Sequence, residues 1–88
     1  MTFIEKPSPF GIGTWYIAKE EFDEDKDLMA SVKVMDEPSA GFGINDGRII
    51  KLEIRIGNEI IANYDRGWDI EVSEEVQHLY ESILATFN

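Results

Sequence analysis

The chain has no cysteine, one histidine and three prolines in 88 residues. Without cysteine there are no disulfides, no thiolate metal sites and no thiol catalysis. That composition suits a reducing compartment, and a cytoplasmic location is expected. The single histidine, His78, shares its predicted helix with Ser73 and Ser82. Ser73 is placed to cap a helix, so no base–nucleophile pair is expected and the chain is read as a non-enzyme. No apolar run is long enough to cross a bilayer. The N-terminal MTFIEKPSPFGIG carries Glu5 and two prolines where a signal peptide needs an unbroken apolar stretch. Bases are scarce as well: 8 against 18 acids, for a net charge of −10.

The acids are not spread evenly. Residues 20–27 (EEFDEDKD) hold six acids and one lysine, and residues 69–81 (DIEVSEEVQHLYE) hold five acids and no base. The remaining residues carry seven acids and seven bases. Charge this concentrated repels phosphate and anionic lipid and attracts basic surfaces. Direct nucleic-acid and membrane partners are therefore not expected, whereas a protein with a basic surface is. Asp23, Asp25 and Asp27 have the opening spacing of a calcium loop. Such a loop then needs glycine at its sixth position and glutamate at its twelfth, and here those are Leu28 and Val34. No metal site and no cofactor are expected. Gly41, Gly43 and Gly47 lack the spacing of a phosphate loop, and a strand, not a helix, follows them.

Hydrophobic periodicity supplies the elements. Residues 1–13 read as an extended arm on the surface or at the sheet edge. Thr14–Lys19 is aromatic and β-branched, a strand. Glu20–Asp27 reads as an exposed loop. Leu28–Met35 alternates, with Leu28, Ala30, Val32 and Val34 on one face. Asp36–Gly47 reads as a loop in which Phe42 and Ile44 pair briefly as an irregular edge. Arg48–Ile56 places Ile50, Leu52, Ile54 and Ile56 on one face and Lys51, Glu53 and Arg55 on the other. A hairpin then leads into Glu59–Tyr64. A three-residue turn, Gly57–Glu59, keeps apolar residues opposite apolar ones: Ile56 with Ile60, Ile54 with Ala62, Leu52 with Tyr64. Asp65–Asp69 breaks the strand, with Gly67 expected at positive φ. From Ser73 onward, Val76, Leu79, Tyr80, Ile83, Leu84 and Phe87 form one helical stripe.

These parts predict one α+β domain. It is a four-stranded antiparallel meander over 14–64 with a C-terminal amphipathic helix, 73–87, packed on one face. The opposite face, with Lys33, Lys51, Glu53 and Arg55, should be solvated.

Two segments stand out: Gly43-Ile44-Asn45-Asp46-Gly47-Arg48-Ile49-Ile50-Lys51-Leu52 and Asn63-Tyr64-Asp65-Arg66-Gly67-Trp68-Asp69. They resemble an uncharacterised family of small proteins from Gram-positive bacteria and their phages, with GIN-x-GRI-x-KL and YDRGWD segments before a C-terminal helix. The resemblance covers about residues 42–88 and implies a phage or mobile-element context, hence the cytoplasm of a bacterial host. It implies no activity. Trp and Arg are residue types enriched at binding hot spots. The expected partner-binding set is therefore Glu20, Glu21, Asp23, Glu24, Asp25, Asp27, Arg66, Trp68, Asp69, Glu71, Glu74 and Glu75. The expected role is an inhibitor that occupies a basic nucleic-acid-binding groove of a host protein, as DNA mimics and anti-CRISPR proteins do. The alternative is a small assembly protein that self-associates, as a homodimer for example, through a sheet edge or apolar patch, with charge serving solubility.

Overall fold

In the computed structural model, which describes residues 1–7 and 12–88, strands β1 (Ile4–Pro7), β2 (Thr14–Glu21), β3 (Asp27–Val34), β4 (Ile49–Ile56), β5 (Glu59–Asp65) and β6 (Trp68–Ile70) form one antiparallel meander in chain order. A 3₁₀ turn at Glu74–Val76 leads into helix α1, Gln77–Phe87. The sheet-plus-helix architecture is as the sequence implied, but the sheet has six strands, not four. The N-terminal arm edges the sheet: Ile4 pairs with Ile17 and Pro7 with Thr14. The middle of the predicted arm, 8–11, lies outside the described residues. At the other edge, the expected break at Asp65–Asp69 is only a tight turn. The chain reverses and pairs Trp68 with Tyr64 as β6. Arg66, not Gly67, takes the positive φ, at 59°.

Three of the eight residues of the predicted acidic loop are also strand. Glu20 pairs with Leu28 and Glu21 with Asp27, which leaves residues 22–26 as the turn. Like charge does not stop the ladder, because its backbone partners are in place and Lys19 Nζ lies 3.3 Å from Asp27. The β4–β5 hairpin corrects the register argument. Ile54 faces Ala62 and Leu52 faces Tyr64 as expected, but Ile56 faces Glu59. The loop is the two residues Gly57-Asn58, with Gly57 at φ 59°. An irregularity between Ile54 and Arg55 absorbs the extra residue, so a bulge does what a longer turn was expected to do.

A second bulge, between Lys33 and Val34, pairs Val34 with Ile49. Ile49 therefore takes the buried place expected of Ile50, which is half-buried. Phe42 and Ile44 form no edge strand. Ile44–Asp46 is a 3₁₀ turn, with Asn45 and Asp46 at φ 51° and 58°. Asparagine and aspartate tolerate that conformation best among residues other than glycine.

The core lies between the sheet and α1. Ala30, Val32, Leu52, Ile54 and Ala62 from the strands meet Val76, Ile83 and Phe87 from the C-terminal segment. Leu79, Tyr80 and Leu84 line its margin. Phe87 closes one side, against Phe3 and Tyr16 at ring centroids of 5.1 and 4.6 Å. Leu52→Ala, Ile54→Ala and Ile83→Ala should each cost about 2–4 kcal/mol, and Leu84→Ala less, since Leu84 is only half-buried. Denaturant titrations followed by circular dichroism would check the order; a Leu84 variant as damaged as Ile83→Ala would contradict this packing.

Candidate functional site

The acidic segments can be placed from strand direction. The β2–β3 turn (22–26) and the β4–β5 turn (57–58) share one end of the sheet, as the Gly57 N–H bond to Asp27 O (2.9 Å) confirms. The 35–48 loop and the 66–67 turn occupy the other end. β6 runs away from that second end, so residues 71–76 climb toward the first. Helix α1 then returns, and its C-terminus docks on the far loop. Asp69 and Ile70 themselves stay level with Tyr64 and Asn63, and Tyr80 in the first turn of α1 packs on Trp68, so only the 71–76 approach reaches toward the first block. On the helix side a groove lined by Met1, Phe3, Tyr16, Glu20, His78 and Leu79 joins the first block to the first turn of α1.

Each carboxylate has a local reason for its position. The Asp23 Oδ1 accepts from the backbone N–H groups of Asp25 and Lys26, both at 2.9 Å. Phe22 N and Asp23 N both donate to Lys26 O. The turn is thus held by its own aspartate. Glu24 and Asp25 sit at its apex, exposed and without an ion pair among the described residues. Glu20 lies 3.8 Å from the N-terminal amine. In the second block Ser73 Oγ accepts from Glu75 N at 3.3 Å, as an N-cap should, but it caps the 3₁₀ turn ahead of α1. Glu74 and Glu75 face the positive end of that turn. Asp69, Glu71, Glu74 and Glu75 are all exposed.

Arg66 and Trp68 are not part of this end. Arg66 sits in the opposite turn, where its N–H donates to Ile50 O and its Nε lies 3.4 Å from Asp65. Trp68 stands edge-on to Tyr64 and Tyr80, at centroid distances of 5.0 and 5.7 Å, and remains 37% exposed. It extends the core outward as an aromatic row. Burial holds the phenols of Tyr64 and Tyr80 above the usual range, helped by the Asp46 carboxylate at Tyr64 and by Tyr64 at Tyr80. His78 is fully solvated, with Nδ1 3.8 Å from Glu81. Among the described residues no group of three histidines or acids is arranged to hold a metal ion. No helix there is long and apolar enough to cross a membrane.

A feature that periodicity could not reveal is a latch between the helix end and the glycine-rich loop. Asn88 Nδ2 donates to Ile44 O (3.0 Å), and Asn88 Oδ1 accepts from Ile49 N (3.2 Å). Arg48 Nε donates to Phe87 O (3.0 Å), and Tyr64 OH donates to Phe42 O (2.8 Å). Gly47 is required by proximity, since a Cβ there would run into the Asn88 side chain. The Gly43–Arg48 segment is thus a docking loop for α1, not a phosphate cradle.

The two segments that carried the resemblance, 43–52 and 63–69, both lie within the stretch that a family comparison covers. Residues 14–88 match the family described as Domain of unknown function (DUF7678), and the chain belongs to that family. No curated protein and no solved structure matches the chain.

The latch predicts a coupling. Asn88→Ala strands one donor and one acceptor and should cost about 1–3 kcal/mol. Gly47→Ala should also destabilise, but much less in the Asn88→Ala background, where the obstructing side chain is gone. A double-mutant cycle by chemical denaturation reads this directly; additive costs would show that Gly47 and Asn88 do not meet.

Proposed function

We propose that this chain is a non-enzymatic acidic binding protein, encoded by a phage or mobile element. On this reading it acts in the bacterial cytoplasm, occupying the basic nucleic-acid-binding groove of a host protein. The observation that supports the reading is the exposure of the acidic β2–β3 turn at one end of the sheet and of the carboxylates that lead into α1. Carboxylates from Glu20, Glu21, Glu24, Asp25 and Asp27 stand on one side of that end, and Glu71, Glu74 and Glu75 approach it on the other. A groove built for phosphates meets negative charge at fixed positions without needing bases to read. The Asp23 turn and the Ser73 cap hold these carboxylates in place, which lowers the entropy lost on binding.

Arg66 is excluded from the contact by its position at the far end. Trp68 contributes indirectly, by seating β6 and the segment that follows it.

The test is a capture experiment from a bacterial lysate at 0.05 M and 0.5 M salt. Binding of this kind should weaken by roughly tenfold or more across that range. The variants are Asp23→Asn/Asp25→Asn/Asp27→Asn and Glu71→Gln/Glu74→Gln/Glu75→Gln. Asparagine at position 23 keeps the Oδ1 acceptor that forms the turn, so the first triple should fold normally. The second loses about 0.3–1 kcal/mol per charge at the helix start and needs a melting control. Both should lose the partner. Should each variant retain every recovered protein at wild-type levels, the acidity serves only solubility.

A further inference from the structure

Strand parity sorts the bases of this chain away from the helix. Lys6, Lys19, Lys33, Lys51 and Arg55, five of the eight, lie on the outer face of the sheet. Only four of the 18 acids share that face: Glu21, Asp27, Glu53 and Asp65. The other three bases are placed elsewhere, Lys26 in the β2–β3 turn, Arg48 in the latch and Arg66 in the far turn. The groove between β2 and α1 therefore has no lysine or arginine among the residues that line it, and the solvated His78 is its one nitrogenous side chain.

That groove encloses about 600 Å³. Its floor is apolar, with Phe3, Tyr16 and Leu79 half-buried and Phe87 behind them. Phe87 holds the rings of Phe3 and Tyr16 at 5.1 and 4.6 Å, so the floor is formed before anything enters it. Ser82 and Thr86, both exposed, make the helix wall. Glu20 stands at the mouth. Its carboxylate already faces a cation, the Met1 ammonium at 3.8 Å, but Glu20 is 46% exposed and a pair of that length and exposure contributes little. A guanidinium donating two parallel hydrogen bonds displaces it. Past Glu20 lies the acidic β2–β3 turn, and ahead of His78 lie Glu74 and Glu75.

Charge steers a partner to such a surface, whereas residence comes from apolar side chains seated in pockets. We infer that the groove takes a short basic segment of the partner, with a large apolar side chain on the Phe3–Tyr16–Leu79–Phe87 floor and an arginine on Glu20. A groove rimmed by carboxylates and without a base selects that chemistry over an acidic segment, and over a second copy at −10. The inference rests on the reading of this chain as the partner of a basic surface, and it supplies the anchor which that reading lacks.

Three fluorescein-labelled peptides, RRLFRR, RRAARR and EELFEE, test it by anisotropy on the full chain. Wild type should bind RRLFRR about tenfold or more tightly than RRAARR, because two large side chains leave water. EELFEE should not bind. Ser82→Trp fills the groove from its exposed wall, and should bring RRLFRR down to the level of RRAARR while leaving RRAARR unchanged. Thr86→Trp serves if Ser82→Trp does not fold. Glu20→Gln should weaken RRLFRR more than RRAARR, since only an anchored peptide holds its arginine at that carboxylate. The two readings fail separately. Equal, salt-sensitive binding of RRLFRR and RRAARR overturns the groove and leaves the charge reading standing. A preference for RRLFRR that survives Ser82→Trp also overturns it, as does tight binding of EELFEE, which marks a general apolar site. Binding of neither arginine peptide at about 0.05 M salt, where charge is least screened, overturns both readings. Self-association on sedimentation that Ser82→Trp abolishes would instead give the groove to a second copy.

Discussion

The last turn of α1 decides where everything else can be. Asn88 and Arg48 tie the helix end to the backbone of the 44–49 segment, which lies at the far end of the sheet. An amphipathic helix laid on a sheet could run in either direction along its apolar stripe, and burial alone scarcely distinguishes the two. Directional hydrogen bonds to one loop remove the ambiguity. Once the C-terminus is fixed there, the first turn of the helix can seat Tyr80 on Trp68 and leave Leu79 facing the groove beside Glu20. The glycines of that loop let the helix end approach closely, and Tyr64 ties the loop to β5 from below.

Strand alternation does the corresponding sorting between the faces. In β3 and β4 every second residue is apolar and enters the core, so Lys33, Lys51 and Arg55 have only the outer face to occupy. In β2 the same parity carries Trp15 and Lys19 outward. The acids avoid that face mostly because they sit in turns and in the approach to α1, outside the alternating segments. The net charge of −10 thus conceals a nearly balanced outer face.

Most of the architecture was legible in the sequence because it rests on periodicity. Ala30, Val32, Leu52 and Ile54 announce a buried face, and Val76, Ile83 and Phe87 announce the stripe that covers it. What periodicity could not supply were the short edge strands. Every residue of Ile4–Pro7 and Trp68–Ile70 is at least partly exposed, so they carry no buried alternation and form only because an adjacent strand offers unpaired backbone groups. The bulges were hidden for a related reason. Ile49-Ile50 reads as a simple continuation of β4, and only the pairing with Val34 shows which of the two enters the core. The candidate site was half legible. Its acids were evident by composition, but Arg66 and Trp68, adjacent to Asp69 in sequence, belong to the other end of the sheet and to an aromatic row. The latch was invisible because Asn88 acts across 44 residues of sequence.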